Sequence, residues 1–376
     1  KVTGTVCSSV VYMNSYCADI QFTGCNILGS TCNSTSTSGA VIALVNGQMD
    51  DIHFESNVIR KGSYGLYVSP GFSSFANDLV LEENSIDSAY RYGAFLNRIQ
   101  GMHVIGNTIF SPTTSSNGIE TNTTYGPTRI ERNSIYMPQG TYGLRVYRYN
   151  YLAPSAPDTT FVLNNMINLA GTVSGSRSFS VEQSNKVNVW HNTFHTTSAN
   201  TSSYSVYSTG NTLTDLRNSI ITNFGTGRAA WMNTITSDHN VFFNLTPPLI
   251  GNVTDYAILE DWVQASGQDQ NSLQIDPEYV SSTDLHVGHG ALNNAGDALT
   301  PPVIADFDEE SRNVATPDIG ADEFGFLNDD MISSDILFSN QLVTGENEIK
   351  AVVYNIGLNP VNTYTLAWKI NNTIYT

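Results

Sequence analysis

The stretch LVLEENSIDS, residues Leu79 to Ser88, sets Asn84 between an alternating apolar run and a single isoleucine. The arrangement recurs eight more times: FTGCNIL (Asn26), HFESNVI (Asn57), HVIGNTI (Asn107), RIERNSI (Asn133), FVLNNMI (Asn165), NVWHNTF (Asn192), TDLRNSI (Asn218) and TSDHNVF (Asn240). Successive asparagines are 31, 27, 23, 26, 32, 27, 26 and 22 residues apart. A motif that returns at this period marks a solenoid in which one small supersecondary unit is stacked on copies of itself.

One repeat, YGLYVSPGFSSFANDLVLEENSIDSAYRYG (residues 64–93), shows what the unit is. A strand at Gly65-Leu66-Tyr67-Val68 is followed by a loop, a second strand at Leu79 to Glu82, a bend at Asn84 and a short third strand at Ser85-Ile86-Asp87. Alternation puts Leu66, Val68, Leu79, Leu81 and Ile86 on one side of the backbone. Three short strands per turn with their apolar residues inward describe a parallel β-helix. The residue two places after each asparagine gives a column of Leu28, Ile59, Ile86, Ile109, Ile135, Ile167, Phe194, Ile220 and Phe242, all apolar. Coils about 4.8 Å apart would stack these side chains inside the solenoid. Asparagine suits the bend because it tolerates left-handed backbone, and its amide can bond along the axis, so the nine residues are expected to form an asparagine ladder.

Composition bounds the function. Of 376 residues, 40% are hydrophobic and only 13% charged, and Asp+Glu outnumber Lys+Arg by 34 to 16 for a net charge of −18. Such a surface repels nucleic acid and anionic membranes. No run approaches the 18 apolar residues of a membrane span. The wealth of Asn, Ser, Thr, Gly and Tyr reads as a secreted or cell-surface β protein. Cys7, Cys17, Cys25 and Cys32 are confined to the first coils. They allow three pairings or buried free thiols, and their spacing contains no C-x-x-C for zinc. Strand-like residues already run at KVTGTVCSSVVYMN, so a piece of a longer precursor with further domains is expected.

From this point the chain resembles the right-handed parallel β-helix superfamily of pectate lyases, polygalacturonases, chondroitinase B and phage tailspikes, over about residues 15 to 245. The handedness is what the resemblance implies. After Asn240 the motif stops. Asp276-Pro277, Asp284-Leu285-His286, Ala295-Gly296-Asp297 and Pro317-Asp318-Ile319-Gly320-Ala321-Asp322-Glu323 resemble the C-terminal region of many bacterial secreted β-helix proteins, with Asp322 where an aromatic is usual. An end cap is needed there to cover the last coil's apolar cross-section. Its acidic residues are expected to be hydrogen-bonding groups, with Ca²⁺ as the alternative. Beyond, alternating apolar residues with turns at Thr344-Gly345-Glu346-Asn347 and Gly357-Leu358-Asn359-Pro360 suggest an antiparallel sandwich. The segment VYNIGLNPV resembles adhesion-type immunoglobulin-like domains, of which only part is present. The expected organisation is an all-β chain with a β-helix over 1–245, its cap over 246–327 and a partial immunoglobulin-like module over 328–376.

In enzymes of the resembled superfamily the substrate usually lies along the outside of the first strand. Aligned on the glycine before that strand, the outward column reads Tyr67, Phe95, Glu120, Arg145, Ser180 or Glu182, Ser205 or Tyr207, and Trp231. Aromatics suit sugar stacking and a carboxylate pair suits glycoside hydrolysis. Glu120 and Glu182, two coils apart, would have backbones about 9–10 Å apart. Leaning side chains would bring them to the roughly 6.5–9.5 Å of an inverting pair, with Arg145 between. The other reading of the column is a solvated polar sheet face. A loop cluster of Tyr147, Arg148, Tyr149 and Tyr151, with Tyr90, Arg91, Tyr92 and Arg98 two coils earlier, adds guanidinium and ring groups for an acidic sugar. For a lyase the resemblance implies a base and often Ca²⁺, but within the coils lysine occurs only at Lys61 and Lys186, in loops. No Ser-His-Asp order, phosphate loop or HExxH motif is present.

The expectation is therefore an extracellular protein that engages a polysaccharide. Its candidate catalytic residues are Glu120, Glu182 and Arg145, and hydrolysis is favoured over elimination. Tyr67, Phe95, Tyr90, Arg91, Tyr92, Tyr147, Arg148, Tyr149 and Trp231 are the candidate sugar contacts; no metal site is assigned, and Ca²⁺ is the one cofactor left open. A non-catalytic adhesion protein with the β-helix as a stiff carbohydrate-binding or spacer module is the competing reading.

Overall fold

The computed structural model describes residues 7–114, 116–151, 158–171 and 173–325, then the strands Met331–Phe338, Ile349–Asn355, Trp368–Ile370 and Thr373–Tyr375 with residues 361, 363 and 364. The chain divides into two compact units, Lys1–Glu323 and Phe324–Thr376. The first unit is a parallel β-helix. Its described strands fall into three long sheets in which each strand pairs parallel with the equivalent strand of the next coil, until Asp255–Tyr256 turns back antiparallel on Ile250–Gly251.

The coil written out above is representative. Tyr64–Ser69 lies in the first sheet, Ala76–Glu82 in the second and Ser85–Asp87 in the third. Each is matched one coil on by Tyr92–Asn97, Ile99–Ile105 and Thr108–Phe110. Strands this short carry few ladder bonds each, so the fold relies on burying the inward residue of every rung. Leu66, Ala94, Ile119, Leu144, Phe179 and Val206 form one such column of the first sheet, each fully buried.

The ladder is continuous through seven of the nine expected positions. Asn57, Asn84, Asn107, Asn133, Asn165 and Asn192 are wholly buried, and each amide donates to the next at 2.9–3.0 Å up to Asn192. The Asn192 backbone amide then donates to Ser219 Oγ at 3.2 Å, and the Ser219 amide to Asn240 Oδ1 at 2.9 Å. Two positions differ from expectation by one residue. Pairing of Asn26 with Val58 puts Cys25 at the first rung, and Ser219, not Asn218, faces Asn192. The apolar column therefore contains Ile27 and Ile221 in place of Leu28 and Ile220. The left-handed residue is also not the ladder asparagine but the one before it: Ser56, Glu83, Gly106, Arg132, Asn164 and His191 have φ of 51–65°. That kink turns the following side chain inward, where its Nδ2 reaches the carbonyl two residues back as well as the neighbouring coil.

Past Asn240 the chain does two things. The helix Leu259–Ser266 closes the end, with Leu259 and Trp262 joining the solenoid core. Trp262 Nε1 donates to Asp269 at 2.8 Å, and Asp269 also accepts from Ser237, Ser272 and Asn240, which prolongs the ladder into the cap. Residues 273–323 then return along the outside of the helix instead of covering its end. Leu285 and Ala321 pack on Met166, and Val303 on Leu163 and Trp190. Asn218, displaced from the ladder, exchanges two 2.8 Å bonds with the Asp297 backbone. Arg312 is buried and binds Glu323, Asn164 and the carbonyls of Gly320 and Ala321. These outward apolar and amide groups of the second and third strands are what the returning segment covers.

Cys7 and Cys32 are joined in a disulfide, while Cys17 and Cys25 are free thiols. In the second unit Met331–Phe338 pairs antiparallel with Ile349–Asn355, and Trp368–Ile370 with Thr373–Tyr375. The two expected turns of this unit, at 344–347 and 357–360, lie outside the described residues.

Candidate functional site

The outward face of the first sheet is a dense aromatic and arginine surface. Strand pairing gives one column as Tyr67, Phe95, Glu120, Arg145, Ser180, Tyr207 and Trp231. A second column, two residues on, contains Asn97, Asn122, Tyr147, Glu182 and Thr209. Of the two alternatives at each uncertain coil, Ser180 and Tyr207 hold the first column. Glu182 thus stands one step along the strand from the line through Glu120.

A third column was not legible from alternation: Tyr64, Tyr92, Asn117, Tyr142, Arg177, Tyr204 and Arg228. Each of these residues precedes the glycine or small residue at the strand start. The backbones approach so closely there that a Cβ on Gly118 would sit 2.3 Å from the Gly143 carbonyl oxygen. Tyr64 and Tyr92 stack at 5.2 Å, Tyr67 and Phe95 at 5.4 Å, and the two pairs meet edge to face. The recurrent Tyr-Gly dipeptide is the sequence signal that would have exposed this column.

Glu120, Arg145 and Glu182 converge despite the offset. Arg145 Nε and Nη2 donate to the two oxygens of Glu182 at 3.0 and 3.3 Å, and Nη1 lies 3.6 Å from Glu120 Oε2. Glu120 is only 4% exposed and accepts from the Tyr92 hydroxyl at 3.3 Å. Glu182 accepts also from Arg177 Nη1 at 2.9 Å and Ser180 Oγ at 2.7 Å. The rings of Tyr142 and Tyr147 sandwich the Arg145 guanidinium at 4.9 and 4.4 Å, and Tyr207 carries Arg177 at 3.5 Å.

The two carboxyls titrate in opposite directions. Burial pushes Glu120 above the ordinary glutamate range and outweighs the opposing pull of Arg145 and Tyr92. Burial pushes Glu182 up too, but the Ser180 hydroxyl, Arg145 and Arg177 outweigh it and hold the carboxyl below that range. One carboxyl is thereby biased toward its acid and the other toward its anion, the separation that acid–base pairs need.

The remaining sugar-contact candidates scatter around this centre. Tyr67, Phe95 and Trp231 are part-exposed on the first column. Arg91 lies over Tyr92 and donates to Thr35 O and Tyr64 Oη, and Tyr90 is part-exposed beside it. Arg148 bonds Gln183 and covers Tyr147 and Tyr151. Tyr149 departs from the expectation. Arg148 takes φ 59°, which turns Tyr149 into the core, where it is fully buried and donates to Gly126 O at 2.7 Å. The Arg177 and Tyr142 contributions were missed with the third column.

Among the described residues, one group has metal-ligand atoms within 4.8 Å of one another: His286, Asp308 and Asp322, on the returning segment. His286 bonds Asp284 and Asp308 through its two ring nitrogens. A set that includes a histidine is not the all-oxygen shell of Ca²⁺. Other cap carboxylates bind backbone amides, as Asp276 does at Glu278 and Asp318 at Asn294.

No protein-family model matches the chain, and a search of the curated proteins finds no match.

Proposed function

We propose that the chain is an extracellular polysaccharide-engaging β-helix protein that hydrolyses its glycan along the first sheet. This reading takes the coils as right-handed, the hand that crossovers between parallel strands adopt, and as related to the pectate lyase-like superfamily. The last strands are read as part of an adhesion-type immunoglobulin-like module that joins the β-helix to further domains. The Cys7–Cys32 disulfide and the low charged fraction support an oxidising, extracellular setting.

The observation that carries the catalytic reading is the Glu120–Arg145–Glu182 bridge, with its two carboxyls biased in opposite directions under an aromatic face. Glu120, as the acid, gives its proton to the glycosidic oxygen as the C–O bond breaks. Glu182, as the anion, takes a proton from the water that adds to the anomeric carbon. The sum is addition of one water across the bond, and solvent returns the two carboxyls to their starting states. Arg145 orients Glu182, and the rings of Tyr67 and Phe95 offer stacking surfaces.

One observation favours the non-catalytic alternative: Glu182 already accepts four hydrogen bonds, as a purely structural carboxylate would. A glycan screen with and without Ca²⁺ separates the readings. It follows new reducing ends together with the ultraviolet absorbance of unsaturated uronates. Reducing ends without that absorbance are expected, with a loss of about 10²–10⁴-fold in Glu120→Gln. Activity should fall as pH rises through the raised Glu120 pKa and as it drops through the lowered Glu182 pKa. Binding of a glycan with silence in both channels would reject hydrolysis in favour of the adhesion reading.

A further inference from the structure

A cavity of about 450 Å³ opens on the same face, lined by residues one to four coils before Glu120. Tyr12 and Tyr67, on either side of the buried Ala43 in the outward column, both line it. Tyr12 and Tyr67 are two rungs apart, about 9–10 Å along the axis. Phe72, 95% exposed, forms a lip, and the Asn97 amide bonded to Ser69 Oγ at 3.0 Å lines one side.

In a chain of net charge −18, no acidic residue lines this cavity among the described residues, and the one charged residue that does is Arg98. Arg98 Nε donates to Ser74 O at 2.9 Å, and the guanidinium lies 4.2 Å from the Phe75 ring centre. The chain has eleven arginines. Three of them, Arg91, Arg98 and Arg148, form no ion pair among the described residues, and all three border this face. Arg98 and Arg148 follow paired first-sheet strands two coils apart, at the same register. A guanidinium held over a ring by its Nε bond, without a carboxylate, keeps its terminal Nη donors for an external anion.

We propose that this cavity is a subsite for an anionic sugar unit bearing a carboxylate or a sulfate, with Arg98 as its anion donor and Tyr67 and Tyr12 as its stacking walls. The inference rests on the reading that the first-sheet face engages a polysaccharide, and it does not require that the polysaccharide be cut.

The test is equilibrium binding by the full chain of three oligosaccharides of matched length: a uronate chain, a sulfated chain and a neutral glucan. The expected result is binding of a charged chain that weakens with salt and falls at least tenfold in Arg98→Gln, with partial recovery in Arg98→Lys. Preference for the uronate or for the sulfated chain identifies the anion. If Arg98→Gln lowers the melting temperature, Phe72→Ala decides, because so exposed a ring can be removed without unfolding; a several-fold loss is expected. Unchanged affinity in the deciding variant, tightest binding to the neutral chain, or binding of none of the three would overturn the subsite. Binding through Arg98 without product would reject hydrolysis and leave the subsite standing. Cleavage of a neutral glycan that Arg98→Gln does not alter would do the reverse.

Discussion

Replacing Arg145 with methionine tests whether the carboxylate bridge is a coupled charge network. The side chains of Arg145, Glu120 and Glu182 are 19%, 6% and 13% exposed, so screening by solvent is weak. Removing one partner of a buried ion pair costs about 3–5 kcal/mol, because the other charge stays buried without it. Arg177 and Ser180 remain on Glu182, which puts the expected loss at the low end, about 3 kcal/mol at neutral pH.

The sign of the pH dependence is fixed by the two shifts. Glu182, held low in the folded chain, stabilises it above the unfolded glutamate pKa, and that stability is lost as pH falls through the folded value. Glu120, held high, opposes folding once pH rises past the unfolded value toward its own. Without Arg145 both pKa values rise, so the deficit of the variant should be full at pH 7. It should be smaller at pH 3, because protonation removes the carboxylate charge that Arg145 pairs with. Denaturant unfolding of the wild-type and Arg145→Met chains at the two pH values measures this, and adding Glu182→Gln should recover part of the loss at pH 7. Equal deficits at both pH values, or a double variant as unstable as the sum of its parts, would refute the coupling.

Three further outcomes are expected. Asn133→Ala orphans the Asn107 amide and removes a donor from the Val104 carbonyl, a loss of about 3 kcal/mol in urea unfolding. Asn133→Ser should lose about half as much, because Ser219 shows that a hydroxyl can fill a rung; parity of the two variants would count against the ladder. Arg312→Met should release residues 273–323 to proteolysis at a cost of about 3–5 kcal/mol, since Glu323 and several carbonyls lose a buried partner. Replacing Cys7 and Cys32 with serine should cost about 3 kcal/mol by chain entropy over their 25-residue separation, read as lost hydrogen-exchange protection in the first coil.

The solenoid was legible because its signal is repeated. Each rung buries one apolar side chain beside one buried amide, and a stack of nine rungs averages out local irregularity. The two offsets show where that averaging fails. At Asn26 and Asn218 an asparagine stands next to the true rung, and only pairing with the adjacent coil can tell Cys25 or Ser219 from its neighbour. Asn218 has its own reason to be asparagine, the exchange with Asp297, 79 residues away in sequence. The path of residues 273–323 is likewise set by long-range partners such as Arg312 with Asn164, which no local pattern announces.

The site was legible in composition but not in geometry. Period-two alternation named Glu120, Arg145 and the stacked rings, but it assumes a regular strand, and the close approach at each Tyr-Gly breaks that assumption. The residues before those glycines, Arg177 among them, therefore vanish from the outward list although they complete the charge balance. Arg177 matters because Glu182 sits one step off the Glu120 column and would otherwise depend on Arg145 alone. With Arg177 and Ser180 holding it from the other side, Glu182 stays ionised while Glu120, lacking a second cation, is left to burial. The asymmetry between the carboxyls arises because the Ser180 hydroxyl and the bidentate Arg145, with Arg177 adding to them, outweigh burial at Glu182, whereas burial wins at Glu120.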